Sequence, residues 1–461
     1  MPTHDSRRIV LPRDVLVQII LWVEDTKSFF SFLDALHKAG TCGPLQPLWQ
    51  LGLLHTHEDL WPRLRLSSQM LERSRERLEA ILQYIPHVEI LWAEDIDWLC
   101  QHLSPSMYVK WHAPMPLGND DQSNWFAKWA QLPLNNVIQY SHPITRETSP
   151  DFFDALRHCH HLVRLSLKGY VDIATVFELA ASSTQLMKLD LSGGMGPSNK
   201  AVLTDLVVTD AMQWLAKAPV RKFRLSRWRW DPQVDVATQE AFYSALFRCP
   251  TLTVLDFSMC HLGSLDLTTL VIPPALHKLR FISCCLSPDQ ISSLAEGLAG
   301  SSLQTLRIRG DDNETTEEYY QAFGKLLEAV TQSTMKTLDL VNCSLNDTFW
   351  GVLNATRLQR SKLARIVLAR NRISDASIVA NLVPAIQSNR TLNVINLDGN
   401  FISSEGIKSL LLANQARGVP LDELSVRNRF EDEDVALELQ ALANECGVAT
   451  LKLGRIRVPR G

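Results

Sequence analysis

The sequence predicts an α/β solenoid, a stack of units that each place one short strand inside and one helix outside. Three observations predict it. A nine-residue pattern with apolar residues at its first, fourth and sixth positions recurs eleven times from residue 162 to the end. Successive copies start 24 to 34 residues apart, and those at Met335, Leu363, Leu392 and Leu421 are separated by 28, 29 and 29. Between copies lie segments such as DASIVANLVPAIQSN and EGIKSLLLANQARG, whose apolar residues recur at helical spacing.

Each copy justifies one strand. LVRLSLKGY at Leu162 and LMKLDLSGG at Leu186 open the series. Looser copies follow at Val220, Leu252, Leu276 and Leu303, then clearer ones at Met335, Leu363, Leu392 and Leu421, with a partial one at Val448. The central LxL is a strand whose two apolar side chains point inward while their neighbours point out. The ninth position needs a small group able to satisfy backbone where the chain turns away from the strand. It holds Cys260, Cys284, Cys343, Asn371 and Asn400, whereas Tyr170, Trp228, Asp311 and Arg429 predict irregular turns. Asp375 and Ser403–Ser404 stand where helix caps belong. The pattern resembles leucine-rich repeats of the long, ribonuclease-inhibitor-like type. The resemblance implies a horseshoe with a concave parallel sheet and helices on the outside, over residues 162–461.

Residues 67–161 read as degraded repeats or a linker region. VEILWAED at Val88, MYVKWHAP at Met107 and LNNVIQYS at Leu134 recur at repeat-like intervals. The five tryptophans from Trp92 to Trp129 read as large core fillers.

Residues 11–66, after a tail over 1–10, follow a different pattern. Leu11–Pro12 precedes an amphipathic helix with Val15, Leu16, Ile19, Ile20 and Val23 on one side, and Leu60–Trp61 closes the segment. A Leu-Pro start before an apolar helix and a Leu-Trp end resemble an F-box. That resemblance implies docking on a Skp-type adaptor of a cullin–RING ubiquitin ligase through Leu11, Pro12, Val15, Leu16, Ile19, Ile20, Val23, Leu60 and Trp61. The middle, GTCGPLQPLWQLGLL, departs from the family's continuous helix. The alternative is a helical cap that hides the apolar end of the first repeat.

The third, fifth and seventh positions of each copy face outward from the strand. In the first six copies they hold Arg164, Lys168, Lys188, Lys222, Arg224, Lys278, Arg280, Arg307 and Arg309 against only Asp190 and Asp256. In the later copies Arg365, Arg427 and Lys452 balance Asp339, Asp398 and Glu423. Solvation of exposed charge is the plainer account. Cations stacked about 4.8 Å apart on neighbouring strands nevertheless repel unless something neutralises them. The stripe, with Trp228 counted among its contact residues, therefore points to an acidic or phosphorylated protein segment as partner. With Trp228 and Trp230 the only interleaved aromatics, it disfavours nucleic acid.

Composition bounds the rest. An apolar fraction of 46% suffices for a large core, and a net charge of −4 argues against a globally basic nucleic-acid binder. No signal-like segment or bilayer-length apolar run is visible, and nine cysteines fit a reduced compartment, cytoplasmic or nuclear. No phosphate loop, dinucleotide fingerprint or HExxH pair is present. The HCHH cluster at 158–161 lacks a second ligand pair, and Cys284 and Cys285, being adjacent, point opposite ways. These readings predict a protein without catalytic residues, metal or cofactor: a substrate receptor of a ubiquitin ligase, or an interaction scaffold or inhibitor. A regulator of a small GTPase is a third reading, with no residue singled out for it.

Overall fold

The computed structural model describes residues 13–116, 121–140, 150–169, 172–193, 201–268, 271–298, 300–310, 316–352, 355–427 and 433–454. Leu11 and Pro12, and the turn residues Tyr170, Asp311 and Arg429, lie outside them. The chain forms two compact units, Met1–Tyr170 and Val171–Gly461.

The first unit starts with helices Arg13–Leu21, Thr26–Lys38, Gln46–Gly52 and His57–Leu60. Asp25 caps the second, accepting a 2.7 Å bond from the Ser28 amide. These helices close around Phe29, Leu33, Leu45, Leu48 and Leu51. Trp61 locks them: its ring stacks on Phe29 at 4.2 Å and its indole N–H donates to the Val23 carbonyl at 2.6 Å. Helix Gln46–Gly52 packs on helix Ser68–Leu82, the outer helix of the first repeat. Five parallel strands follow: β1 (Leu64–Leu66), β2 (His87–Ile90), β3 (Tyr108–Trp111), β4 (Leu134–Tyr140) and β5 (Arg164–Lys168). The segment 67–161 thus carries three strands separated by helices, and β1 falls inside the segment read as helical. Trp92, Trp98, Trp111 and Trp129 are buried. Trp111 and Trp129 meet edge to face at 5.8 Å, and Phe152 packs beside Trp129. Large rings fill the space that leucines fill elsewhere.

In the second unit the strands are β6 (Lys188–Ser192), β7 (Ala201–Leu203), β8 (Lys222–Ser226), β9 (Trp228–Trp230), β10 (Val254–Ser258), β11 (Lys278–Ile282), β12 (Thr305–Arg309), β13 (Thr337–Val341), β14 (Arg365–Val367), β15 (Val394–Asn396), β16 (Glu423–Val426) and β17 (Leu451–Leu453). All but β7 and β9, which pair with each other, form a parallel sheet in chain order. The register aligns the fourth position of every copy, from Leu189 through Phe223, Leu255, Leu279, Leu306, Leu338, Ile366, Ile395 and Leu424 to Leu451. All are buried. A slip of one residue would turn this row to solvent, so the apolar pattern fixes the register. The chain is an α/β solenoid built from leucine-rich repeats.

The ninth position works through its amide in the regular repeats. Asn371 Oδ1 accepts from the amides of Cys343 and Leu345, at 3.0 and 3.2 Å, and Nδ2 donates to the carbonyls of Leu340 and Leu368, both at 2.9 Å. One side chain thereby satisfies backbone in two neighbouring repeats. Asn400 repeats the arrangement with Ile373, Leu368 and Leu397. Ser403 caps helix Ser404–Arg417, accepting from the Glu405 amide at 3.1 Å. Asp375 departs from its expected role. The cap of its helix is Ser374, and Asp375 instead accepts from Ser403, 2.9 Å from its amide, tying one repeat to the next.

Candidate functional site

On the sheet face away from the helices, the fifth positions of the second unit form one lateral row: Asp190, Arg224, Asp256, Arg280, Arg307 and Asp339, each opposite the next. Neighbouring strands bring opposite charges together. Arg224 Nη2 lies 2.7 Å from Asp256 Oδ2 and its Nη1 lies 3.3 Å from Asp190. Lys222 reaches Asp190 at 3.3 Å and Arg280 reaches Asp256 at 3.3 Å. Arg307 Nε donates to Asp339 at 2.6 Å. Burial works against the charge on Arg224, but Asp190 and Asp256 on either side outweigh it and hold its pKa above the ordinary guanidinium value. The repulsion expected of stacked cations is therefore relieved in part from within: Lys222, Arg224, Arg280 and Arg307 have carboxylates of their own.

A surplus remains. On β6 to β13 the outward positions hold seven cations, Lys188, Lys222, Arg224, Lys278, Arg280, Arg307 and Arg309, for three acids, Asp190, Asp256 and Asp339. Lys188, Lys278 and Arg309 make no ion pair among the described residues. Later strands balance, with Lys452 2.6 Å from Glu423 and Arg427 3.8 Å from Asp398.

Trp228 does not belong to this face. It is 0% exposed and packs edge to face on Trp230 and Phe257, at 5.3 and 5.9 Å. Its repeat frame already placed it at the ninth, inward position, the signal that the sequence reading set aside.

The first unit has its own charged cluster. Glu89, buried on β2, receives Lys110 at 2.5 Å, His112 at 3.2 Å, Arg65 at 3.5 Å and Arg63 at 3.7 Å. Burial would raise the Glu89 carboxyl, but Lys110, His112 and Arg65 outweigh it and hold its pKa below the ordinary value. On β5, Lys168 sits over the Tyr140 ring at 4.9 Å, and Arg164 keeps a buried Nε without a hydrogen-bond partner among the described residues.

The residues expected to meet an adaptor separate into two groups. Val15 and Ile19 are 40% and 44% exposed, and Leu16 and Val23 are half-buried. Ile20, Leu60 and Trp61 are internal core and cannot touch a partner while the helices hold together, which corrects their assignment. Trp22, at 83% exposed, joins the outer patch and was missed because the sequence reading followed one helical face only. Leu53 and Leu54 are exposed as well.

Cys159 is buried, its thiol pushed up to about 12 by burial. His158, His160 and His161 line a cavity of about 610 Å³ with Asp151 and Asp154. No group of three or more His, Cys, Asp or Glu side chains among the described residues is arranged to hold a metal ion. No helix among them is long and apolar enough to cross a membrane.

Neither a protein-family model nor a curated protein matches the sequence. Solved structures of similar architecture include a TLR13–ssRNA13 complex, at 14% identity and TM-score 0.42. The match covers 82% of this chain and 47% of that one, so the chain spans about half the length of that protein. An internalin, InlF, from Listeria monocytogenes matches at 12% identity and TM-score 0.36 over 83% of each chain. The APL1 leucine-rich-repeat domain matches at 15% and 0.32, over 72% of this chain and 76% of that one. The fold assignment rests on strand register and repeat spacing.

Proposed function

We propose that the protein is a non-catalytic binding scaffold that holds an acidic or phosphorylated protein segment along β6 to β13 of its second unit. Lys188, Lys278 and Arg309 carry the reading, because they stand on the sheet face without carboxylate partners among the described residues while their neighbours are paired. A segment bearing carboxylates or phosphates supplies the missing partners, and Arg309 suits planar two-point contacts. The test is binding of a glutamate-rich peptide and its phosphoserine counterpart to the full chain, beside the Lys188→Glu/Lys278→Glu/Arg309→Glu variant. Binding that weakens with added salt and is lost in the variant supports the reading. Binding unchanged in a folded variant ends it.

The N-terminal helices support a receptor role in a Skp–cullin ubiquitin ligase, with the partner segment as substrate. Helix Gln46–Gly52 packs on the first repeat, as a cap does, while Val15 and Ile19 of helix Arg13–Leu21 and Trp22 just after it are exposed apolar side chains. Capping and adaptor binding are therefore compatible in one module. Such a receptor raises the local concentration of substrate near the transferring enzyme and performs no bond chemistry. Capture by a purified Skp adaptor, abolished by Val15→Asp/Ile19→Asp/Trp22→Asp in a folded chain, is the expected result. Failure of the unaltered chain to bind leaves a capped scaffold.

A further inference from the structure

The ninth-position turns bring two thiols together that nothing in the scaffold reading uses. Cys260 follows β10 and Cys284 follows β11, one repeat apart. Their Sγ atoms are 3.5 Å apart, and both residues are buried. Parallel neighbours about 4.8 Å apart lie within the Cα separation that a disulfide spans. We propose that Cys260 and Cys284 are an oxidative modification site, closing to a disulfide when a hydroperoxide reaches Cys284.

Access and reactivity both favour Cys284 as the attacking sulfur. It lines a cleft of about 50 Å³ together with Cys285, Tyr319, Phe323 and Arg309, room for a peroxide of nearly water size. The hydrogen bond that Cys284 shares with Cys260 outweighs burial and holds the Cys284 pKa below the ordinary thiol value. Cys343 lines the same cleft, yet burial pushes its thiol up to about 12, so it stays protonated and inert. The chemistry balances in two steps. The Cys284 thiolate takes the outer oxygen of the hydroperoxide: an S–O bond forms, the O–O bond breaks, and the alcohol or water leaves with a proton. Cys260 sulfur then attacks the Cys284 sulfenic acid: the S–S bond forms, the S–O bond breaks, and water leaves with the Cys260 proton. The two thiols are oxidised and the peroxide is reduced. The bond would clamp β10 to β11 beneath the Asp256–Arg280 pair.

The experiment treats the folded full chain with hydrogen peroxide, denatures it, alkylates the remaining thiols and maps the peptides by mass. The expected result is a peptide pair linked through Cys260 and Cys284, lighter by two hydrogens than the reduced pair. A dithiol reductant should reverse it, and it should be absent in Cys260→Ser and Cys284→Ser. Cys285→Ser should keep the link, since Cys284 is attacked directly. Full alkylation of Cys260 and Cys284 under conditions that oxidise exposed Cys285 would overturn the proposal. So would a link that forms only in the denatured chain, or one that disappears with Cys285→Ser.

Discussion

The two units manage buried charge in different ways. In the first, four basic side chains converge on one carboxylate, Glu89, and the cluster is closed. In the second, each arginine of the fifth-position row reaches a carboxylate on a neighbouring strand, yet Lys188, Lys278 and Arg309 are left over on the same face. The difference shows that a basic residue on a repeat face is no evidence of a partner until its neighbours on adjacent strands are known. Paired cations hold the sheet; the surplus is what the proposed partner would meet.

Asp256 should mark the structural part of the row most strongly. It is fully buried and serves both Arg224 and Arg280, so Asp256→Ala leaves two guanidinium groups without a carboxylate between them. A loss of about 3 kcal/mol is expected from chemical denaturation. A loss below about 0.5 kcal/mol, the range of ordinary surface changes, would break the distinction between paired and surplus charge.

Glu89 tests the closed cluster through pH. Its folded pKa lies below the ordinary 4.5, so its contribution is fully present above that value and is lost as pH falls through the folded one. Glu89→Gln should therefore cost about 2 kcal/mol near neutrality. That difference from the unaltered chain should shrink on acidification. A gap that stays constant with pH would mean that shape, not charge, holds the site.

Arg417 sharpens the contrast from the other side. It is 2% exposed at the end of helix Ser404–Arg417, and none of its three guanidinium nitrogens has a hydrogen-bond partner among the described residues. Burial lowers its pKa against the pull of Asp422. Arg417→Met removes an uncompensated buried charge and should stabilise the chain by about 1 kcal/mol, read as a higher Tm. The smallest effect belongs to the surplus cations. Lys188→Ser and Lys278→Ser should leave stability within about 0.5 kcal/mol while weakening capture of an acidic peptide.

Much of the fold was legible because its signals are local. The inward Leu row follows from a period-two pattern inside each copy, and Asn371 and Asn400 were recognisable by residue type at a fixed position. The strands over 67–161 were fainter, because Trp111 and Trp129 replace the residues that make the pattern visible. Trp228 was misread for a related reason: an aromatic near a basic stripe suggested stacking, although the ninth position is interior. At the N-terminus, helical periodicity marked Val15, Ile19 and Ile20 alike. Packing between helices separated by loops decided that Ile20 is core and Ile19 surface.

The sequence by itself determined the repeat, the residues that point inward and the stock of charges on the outer positions of each strand, since all three depend on spacing within one short segment. Only the tertiary structure decided which of those charges meet, that Asp256 serves two arginines, and that Cys260 lies beside Cys284. Such contacts join residues 24 to 34 positions apart through loops of unequal length. Register across the sheet, set by burial of the whole apolar row at once, brings them within hydrogen-bonding distance.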